Sequence, residues 1–478
     1  MRRYTLFLLH KYSGLAAGLI LALLAFTGFF LDHENFDFLW QIEINDRWIP
    51  ASMQAKKSRS VEAYRVDVEN PQHILVGSRR GFYLSRDGGA SFSKTLEHQV
   101  LTLDVHRAGG KEDYQRIYVG TTDGIFFSQD GGGHWKSLAL SGQPITGLTV
   151  REGTIHAVVD KRSLYRVNPV GQTAVPLQWS PPASEVLPQS ITLGRLVRDL
   201  HYGRGLVDGD VSLYFNDFLA LLLLMLSVSG YVIYIKVRQR RKHLAGNKKT
   251  LKNWITVHAH GSTLPAFFLI LIVFGITGVF LDHSSVFRSF LKSNQVNTTW
   301  LPPVYRSLST DVWGFDYDGK KYRIGNRLGI FSSKDLHNWQ LESTGFAWRM
   351  KRLGDELLVS GMGGPNQILR TDGWQKLNTA PHMPRDFYLL NDEINYLSLR
   401  DDTPPLPHWN SVSLYHILLG PHDGELLWGQ WVWLNDLAVL AALLLLYTGF
   451  LKWMHRRRHQ RSRLGNSSKD NIARNQLH

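Results

Sequence analysis

The apolar residues of this sequence are concentrated in four runs of about twenty residues, a length that predicts helices able to cross a membrane. The predicted spans are Tyr4 to Leu31, Leu213 to Ile235, Leu264 to Leu281 and Trp431 to Met454. The first run is longer than a signal peptide, and Leu31-Asp32-His33 lacks the small residues of a cleavage site, so we expect a retained helix. In the long segments between the spans, apolar and polar residues alternate, which predicts β-strands.

Positive charge lies beside the apolar runs. The formal net charge is +14, and the basic residues cluster at Arg2-Arg3, Lys236 to Lys252 and His455 to Arg458. Basic residues that flank membrane spans mark the cytoplasmic side. We therefore expect cytoplasmic termini, two long loops (34–212 and 284–430) on the far side of the bilayer, and no nucleic-acid partner.

One motif occurs twice in the predicted spans. Thr27-Gly28-Phe29-Phe30-Leu31-Asp32-His33 returns 250 residues later as Thr277-Gly278-Val279-Phe280-Leu281-Asp282-His283. Histidines begin both runs as well, since His10 and His260 each lie 23 residues before the final histidine of the run. The sequence therefore predicts an internal duplication of two helices plus two helices.

The first outer loop contains a shorter repeat. Gly81 to Phe92 is matched 43 residues later by Gly124 to Trp135. Both copies resemble the Asp-box, Ser-x-Asp-x-Gly-x-x-Trp or Phe, of sialidase-type β-propellers, in which the aspartate closes a turn, glycine takes positive φ, and the aromatic residue packs between blades. Such residues form turns and do not catalyse. Weaker copies are Ser163 to Arg166, Gly329 to Trp339 and Arg370 to Trp374.

Three candidate blades per loop predict one six-bladed propeller assembled from both loops. The expected fold is a membrane four-helix bundle with an all-β, β-propeller-like domain. The boundaries are 1–33, helix one; 34–200, first half-propeller; 201–237, helix two with its approach; 238–253, basic cytoplasmic loop; 254–283, helix three; 284–415, second half-propeller; 416–455, helix four with its approach; and 456–478, cytoplasmic tail.

Histidines near the ends of the runs are the candidate functional residues. With no cysteine in the chain, a metal centre must use nitrogen or oxygen ligands. Imidazoles from facing helices of a bundle commonly hold b-type haem. His10 and His260 are expected to bind one haem at the cytoplasmic end, with His258 as the alternative to His260. The outer-side candidates are His33, His283, His201 and His416, for one or two haems.

The two ends of the first run are far apart. His10 and His33 lie about 34 Å apart along an α-helix, which is long for one electron transfer step, so a third site or a ligand placed further inward is expected. Asp32 and Asp282 could orient a neighbouring imidazole. Gly14, Gly28 and Gly278 could admit a macrocycle or serve close helix packing.

The motifs His10-Lys11-Tyr12-Ser13-Gly14-Leu15, Thr27-Gly28, Leu200-His201-Tyr202-Gly203 and Ser229-Gly230-Tyr231 resemble the PepSY-associated transmembrane family. The resemblance implies a bacterial inner-membrane haem-b protein, with His10 and His201 as motif histidines. Electrons from a quinol or cytoplasmic donor would reach a periplasmic ferric chelate, as in ferric-siderophore reductases of iron uptake. No PepSY domain is recognisable in the outer loops. The alternative function is a sensor or scaffold whose propeller binds a partner protein.

Overall fold

A computed structural model describes residues 3–54, 57–109, 111–207, 209–241, 252–256, 258, 265–307, 311–398, 404–425, 430–451 and 454. Within these ranges the chain forms a group of long apolar helices and a ring of β-sheets. Below, the first half means the described residues up to 241, and the second half means those from 252 onward.

Six helices form the membrane part and its attachment to the sheets. They are α1 (Arg3–Asp32), α2 (Leu193–His201), α3 (Asp210–Arg241), α4 (Pro265–Asp282), α5 (Leu414–His422) and α6 (Val432–Leu451). Helix α1 packs along α3, and the short helices cross between halves, because α5 contacts α1 and α2 contacts α4. Single-turn helices occur at Phe38–Gln41, Ala51–Gln54 and Arg288–Ser293, and 3₁₀ turns at Asp46–Trp48, Lys57–Ser60, Ser184–Val186, Thr298–Trp300 and Pro303–Tyr305.

Three helices have the length and composition of membrane spans: Tyr4–Asp32, Asp210–Gln239 and Val432–Leu451. These coincide with the first, second and fourth predicted spans. The third predicted span corresponds to α4, an apolar helix of 18 residues. The described part of the chain thus contains three candidate spans and one shorter apolar helix, where the sequence predicts four spans.

Six antiparallel sheets form a closed ring. The first strand of each sheet contacts the first strand of the next, and the sixth contacts the first, so three blades from each half make one β-propeller-like head. Blade 1 comprises Val61–Val66, Ile74–Ser78, Gly81–Ser85 and Ser93–Leu96; blade 2, Val100–Ala108, Lys111–Thr121, Gly124–Ser128 and Lys136–Ala139; blade 3, Ile145–Arg151, Thr154–Val159, Ser163–Asn168 and Thr173–Leu177. Blade 4 comprises Gly314–Tyr317, Tyr322–Gly325, Gly329–Ser333 and Gln340–Thr344; blade 5, Ala347–Leu353, Glu356–Gly361, Gln367–Arg370 and Gly373–Lys376; blade 6, the pair Phe387–Leu390 and Glu393–Tyr396.

The repeated Ser-x-Asp turns close the hairpins as their residue types predict. Asp130 accepts a hydrogen bond from the Ser128 hydroxyl at 2.8 Å and from the His134 backbone N–H at 2.9 Å. Gly131 and Gly132 have φ of 70° and 90°. Trp135 then packs against Phe82 of blade 1, with ring centroids 4.7 Å apart. The turn therefore fixes an aromatic residue between two blades.

Two short strand pairs connect the head to the helices. Glu43–Asn45, which follows α1, pairs with Ser411–Ser413, which precedes α5. Ser190–Thr192, which precedes α2, pairs with Gln295–Asn297, which follows α4. Each pair joins the two halves, so the approach helices α2 and α5 are held against the opposite half.

Candidate functional site

A cavity of about 2480 Å³ runs along the helices and ends beneath the propeller. Six histidines line it, and four of them form two groups: His10 and His258 near the start of α1, and His201 and His422 near its end. Each of these four contacts a buried hydroxyl followed by glycine on a long helix. The four pairs are His10 with Thr448, His258 with Ser229, His201 with Thr277, and His422 with Thr27.

The group near the end of α1 takes one histidine from each half. His201 is the last residue of α2, and its Nδ1 lies 3.3 Å from the Thr277 hydroxyl. His422 is the last residue of α5, and its Nδ1 lies 3.3 Å from the Thr27 hydroxyl. The repeated Thr-Gly motif therefore receives a histidine from the opposite half at both of its copies.

The hydrogen bonds of the threonines fix the protonation of the two rings. Each threonine hydroxyl donates its only proton to the carbonyl oxygen four residues earlier, from Thr27 to Leu23 at 2.8 Å and from Thr277 to Val273 at 2.7 Å. The threonine oxygen must then accept from the imidazole, so Nδ1 carries the proton and Nε2 has the lone pair. Each ring is thereby prepared to bind a metal through Nε2.

Burial favours the neutral form of both rings. Burial, assisted by the nearby His201 imidazole, lowers the pKa of His422 to about 4. Burial also lowers the pKa of His201, although a hydrogen bond to the Phe274 carbonyl opposes the effect. Neutral imidazole is the form that binds iron.

The glycine of each Thr-Gly motif makes room for the ring. A Cβ at Gly28 would lie 3.2 Å from Cε1 of His422, and one at Gly278 would lie 3.3 Å from Cε1 of His201. These positions therefore admit an imidazole. Gly14, in contrast, faces a methyl group of Leu445 at 3.4 Å and serves helix packing.

An asparagine bonds to the backbone next to each histidine. The Asn216 side chain donates to the Tyr202 carbonyl and to Asp32, both at 2.9 Å. A Cβ at Gly203, which has φ of 70°, would lie 2.1 Å from the Asn216 side chain, so glycine is required there. Asn435 donates to the Pro421 carbonyl at 3.0 Å in the second half. These contacts tie α2 to α3 and α5 to α6.

The group near the start of α1 pairs His10 with His258. The ring centroids lie 6.4 Å apart and the planes are nearly perpendicular, at 80°. Nδ1 of His10 lies 2.9 Å from the Thr448 hydroxyl, and Nδ1 of His258 lies 2.7 Å from the Ser229 hydroxyl. Both hydroxyls donate to backbone carbonyls of their own helices, so these Nδ1 atoms also carry the proton. His260 lies outside the described residues.

The other predicted histidines have different surroundings. His33 contacts Asp217 at 3.6 Å, and His283 contacts Asp436 at 2.7 Å, so both join the end of one helix to the start of the next in their own half. Neither lines the cavity. His416 does line it, but Nδ1 of its buried ring bonds to Ser413 on its own approach, at 2.9 Å. Asp32 contacts Asn216.

In the second half, His422 and not His416 makes the contact that His201 makes in the first half. Sequence reasoning missed His422. The available signal was the His-x-Gly sequence that ends both approach helices, as His201-Tyr202-Gly203 and His422-Asp423-Gly424, followed by Asn216 or Asn435. His422 sits at the level of Thr27, six residues further inward than His33. His422 is therefore closer to the level of His10 than His33 is.

The family model of the PepSY-associated TM region matches residues 7–456, which is nearly the whole chain. The chain belongs to this family. The match spans the helices that carry both histidine groups, and it also spans the propeller inserted between them. No curated protein matches the sequence.

Solved structures similar to this PepSY-associated protein have low identity and low TM-scores. An ancestral GH74 enzyme is 11% identical with a TM-score of 0.31; the alignment covers 69% of this chain and only 32% of the enzyme chain. YCF48 from Cyanidioschyzon merolae is 9% identical with a TM-score of 0.30, over 70% of this chain and 71% of that chain. BamB from Moraxella catarrhalis is 10% identical with a TM-score of 0.26, over 65% and 69%.

Proposed function

We propose that this protein carries two b-type haems and transfers electrons across the bacterial inner membrane. The observation that supports this most strongly is the set of four buried hydroxyls that fix four cavity histidines with Nδ1 protonated. His10 and His258 would hold one haem, and His201 and His422 the other. His260, which lies outside the described residues, is the alternative to His258 as the partner of His10.

The spacing of the His10 and His258 rings suits a shared iron. Two imidazoles that bind one iron from opposite sides have ring centres roughly 6 Å apart, because a metal–imidazole bond is about 2 Å and the nitrogen lies about 1 Å from the ring centre. The 6.4 Å between His10 and His258 agrees with this value. The apolar walls of the cavity supply the low-polarity surroundings that haem occupies.

The level of each histidine group sets the length of the electron path. His10 and Thr27 are 17 residues apart on α1, so the two groups are separated by about 26 Å along the helix. This is shorter than the 34 Å or so between His10 and His33. A haem macrocycle at each level would shorten the gap between redox centres further.

The proposed membrane arrangement follows the charges. The basic segments would lie in the cytoplasm, together with the termini and the loop after α3, and the propeller would lie in the periplasm. All four apolar helices would then cross the bilayer as a duplicated bundle. Electrons would come from a quinol or a cytoplasmic donor, and one haem group would deliver them singly to a periplasmic acceptor, a ferric siderophore or other ferric chelate of iron uptake.

The experiment that tests this proposal is a reduced-minus-oxidised visible spectrum of the detergent-purified chain, with a pyridine haemochrome assay that counts haem. We expect a b-type α-band and two haems per chain. A preparation that stays colourless after expression with added haem would contradict the proposal and favour a scaffold that binds a partner protein.

A further inference from the structure

The cavity widens beneath the propeller into a space rich in cations, which we call the vestibule. It is lined by Arg79, Lys161, Arg204, Arg385 and Trp313. The vestibule lies directly above the His201–His422 group, because Arg204 is three residues after His201 in the turn that leaves α2. Both halves contribute to its walls.

Lys161 and Arg204 share one indole. The Lys161 ammonium lies 3.8 Å from the ring centroid of Trp313, and the Arg204 guanidinium lies 5.2 Å from it. Neither side chain forms a salt bridge with any residue that the structure describes. Burial lowers the pKa of Lys161 to about 8, although Glu34 opposes the effect. Two cations that share one indole and form no salt bridge with a described residue favour an added anion, although Glu34 lines the same cavity.

Unused hydrogen-bond donors point to the same ligand chemistry. Arg79 is 7% exposed, and its Nη1 has no hydrogen-bond partner among the described residues, while Nε bonds to Glu62 at 3.1 Å. Arg195 also lines the cavity and is 9% exposed. Its Nη1 likewise has no hydrogen-bond partner among the described residues. A buried guanidinium donor without a partner is costly, so an oxygen-rich ligand would be stabilised here.

We propose that Arg79, Lys161 and Arg204 select a polyanionic electron acceptor, a ferric chelate whose carboxylate or catecholate oxygens face these cations. This rests on the proposed function, because the electron comes from the haem of the His201–His422 group. In each event one ferrous haem is oxidised to ferric and one ferric chelate is reduced to ferrous, with no bond made or broken at the protein. Neutral and cationic chelates are discriminated against.

The first test compares two one-electron oxidants of opposite charge, ferricyanide and hexaammineruthenium(III), by stopped-flow oxidation of the reduced, haem-loaded full chain. Lys161→Gln and Arg204→Gln are each expected to slow ferricyanide about tenfold, the effect of losing a charged hydrogen bond. Oxidation by hexaammineruthenium should be unchanged or faster. Lys136→Gln, at an exposed lysine on the outer strand of blade 2, is the matched control and should alter neither rate.

Two results would overturn the selectivity: wild-type ferricyanide rates in both variants, or equal slowing with both oxidants.

The second test is calorimetric titration of ferric citrate into the full chain, with and without haem. If Lys161→Gln and Arg204→Gln both weaken the binding of ferric citrate, the acceptor site is supported. This holds even if the purified protein contains no haem, in which case only the haem proposal fails. Binding to the haem-free chain alone would mean that the cations hold the carboxylates of haem itself, which would overturn the acceptor site.

Discussion

His422 donates its Nδ1 proton to the hydroxyl of Thr27, a residue 395 positions earlier in the chain and in the opposite half of the molecule. The same bond joins His201 to Thr277. Because Thr27 already donates to the carbonyl of Leu23, the contact specifies one tautomer of the imidazole and leaves Nε2 for a ligand. The repeated Thr-Gly motif therefore positions a histidine.

His422→Ala should remove the haem of the His201–His422 group, called the outer haem below, because only one imidazole would remain for its iron. The haem at His10 should stay in place. The pyridine haemochrome assay should fall from two haems per chain to one. His416→Ala is the matched control, since the two histidines lie on the same helix and line the same cavity. Loss of haem in the His416 variant alone would reverse our assignment.

The pairing of His10 with His258 can be tested by three single substitutions. His10→Ala and His258→Ala should each remove the cytoplasmic-side haem while expression persists, because the two rings lie 6.4 Å apart. His260→Ala should retain two haems. If His260→Ala loses one haem and His258→Ala keeps both, then His260 is the ligand, as the 23-residue spacing of the repeat predicts.

Thr27→Val should raise the midpoint potential of the outer haem. The Nδ1–H···O bond increases the basicity of the ligating nitrogen, which favours ferric iron, and valine removes that bond without changing the shape of the side chain. Redox titration followed at the α-band measures the effect. Thr448→Val should act in the same direction on the other haem only, so each variant serves as a control for its partner. Unchanged potentials in both would show that the hydroxyls do not tune the iron.

Gly28→Ala should reduce occupancy of the outer haem, because the new methyl group would lie 3.2 Å from His422 Cε1 and displace the ring. Gly14→Ala, on the same helix, faces the end of the Leu445 side chain at 3.4 Å, which can move aside. The Gly14 variant should keep two haems. Equal haem content in the two variants would mean that the imidazole position tolerates the methyl group.

Much of the architecture can be predicted from sequence patterns. The contacts between the histidines and the threonines cannot. Apolar runs predict four spans, and the described residues contain three helices that qualify as candidate spans. The Ser-x-Asp turns predict the propeller-like head. Both predictions depend on local periodicity and turn chemistry. The histidine that contacts Thr27 is determined by tertiary packing between the two halves. Residue spacing along the sequence does not predict such a contact. His416 resembles His201 through a neighbouring leucine and tyrosine, whereas the structural equivalence of His422 comes from its place at the end of a helix tied down by asparagine.

The buried carboxylate of Glu62 should make the propeller sensitive to acid. Burial alone would raise the pKa of Glu62, but Arg385, Arg349 and Arg79 outweigh it and hold the pKa at about 2, below the ordinary value of 4.5. The ionised form is therefore favoured by folding. Its contribution to stability is complete above pH 4.5 or so and is lost as the pH falls towards 2.

Glu62→Gln should lower the free energy of unfolding of the head by about 3–5 kcal/mol at pH 7, since three guanidinium groups lose their shared partner. It should also flatten the decline in stability between roughly pH 5 and pH 3. Fluorescence-detected unfolding of the full chain in detergent measures both effects. Glu356→Gln removes an exposed ion pair with Arg370 on blade 5 and should cost less than about 1 kcal/mol. A Glu62 variant that retains the wild-type pH profile would assign the acid sensitivity to other carboxylates.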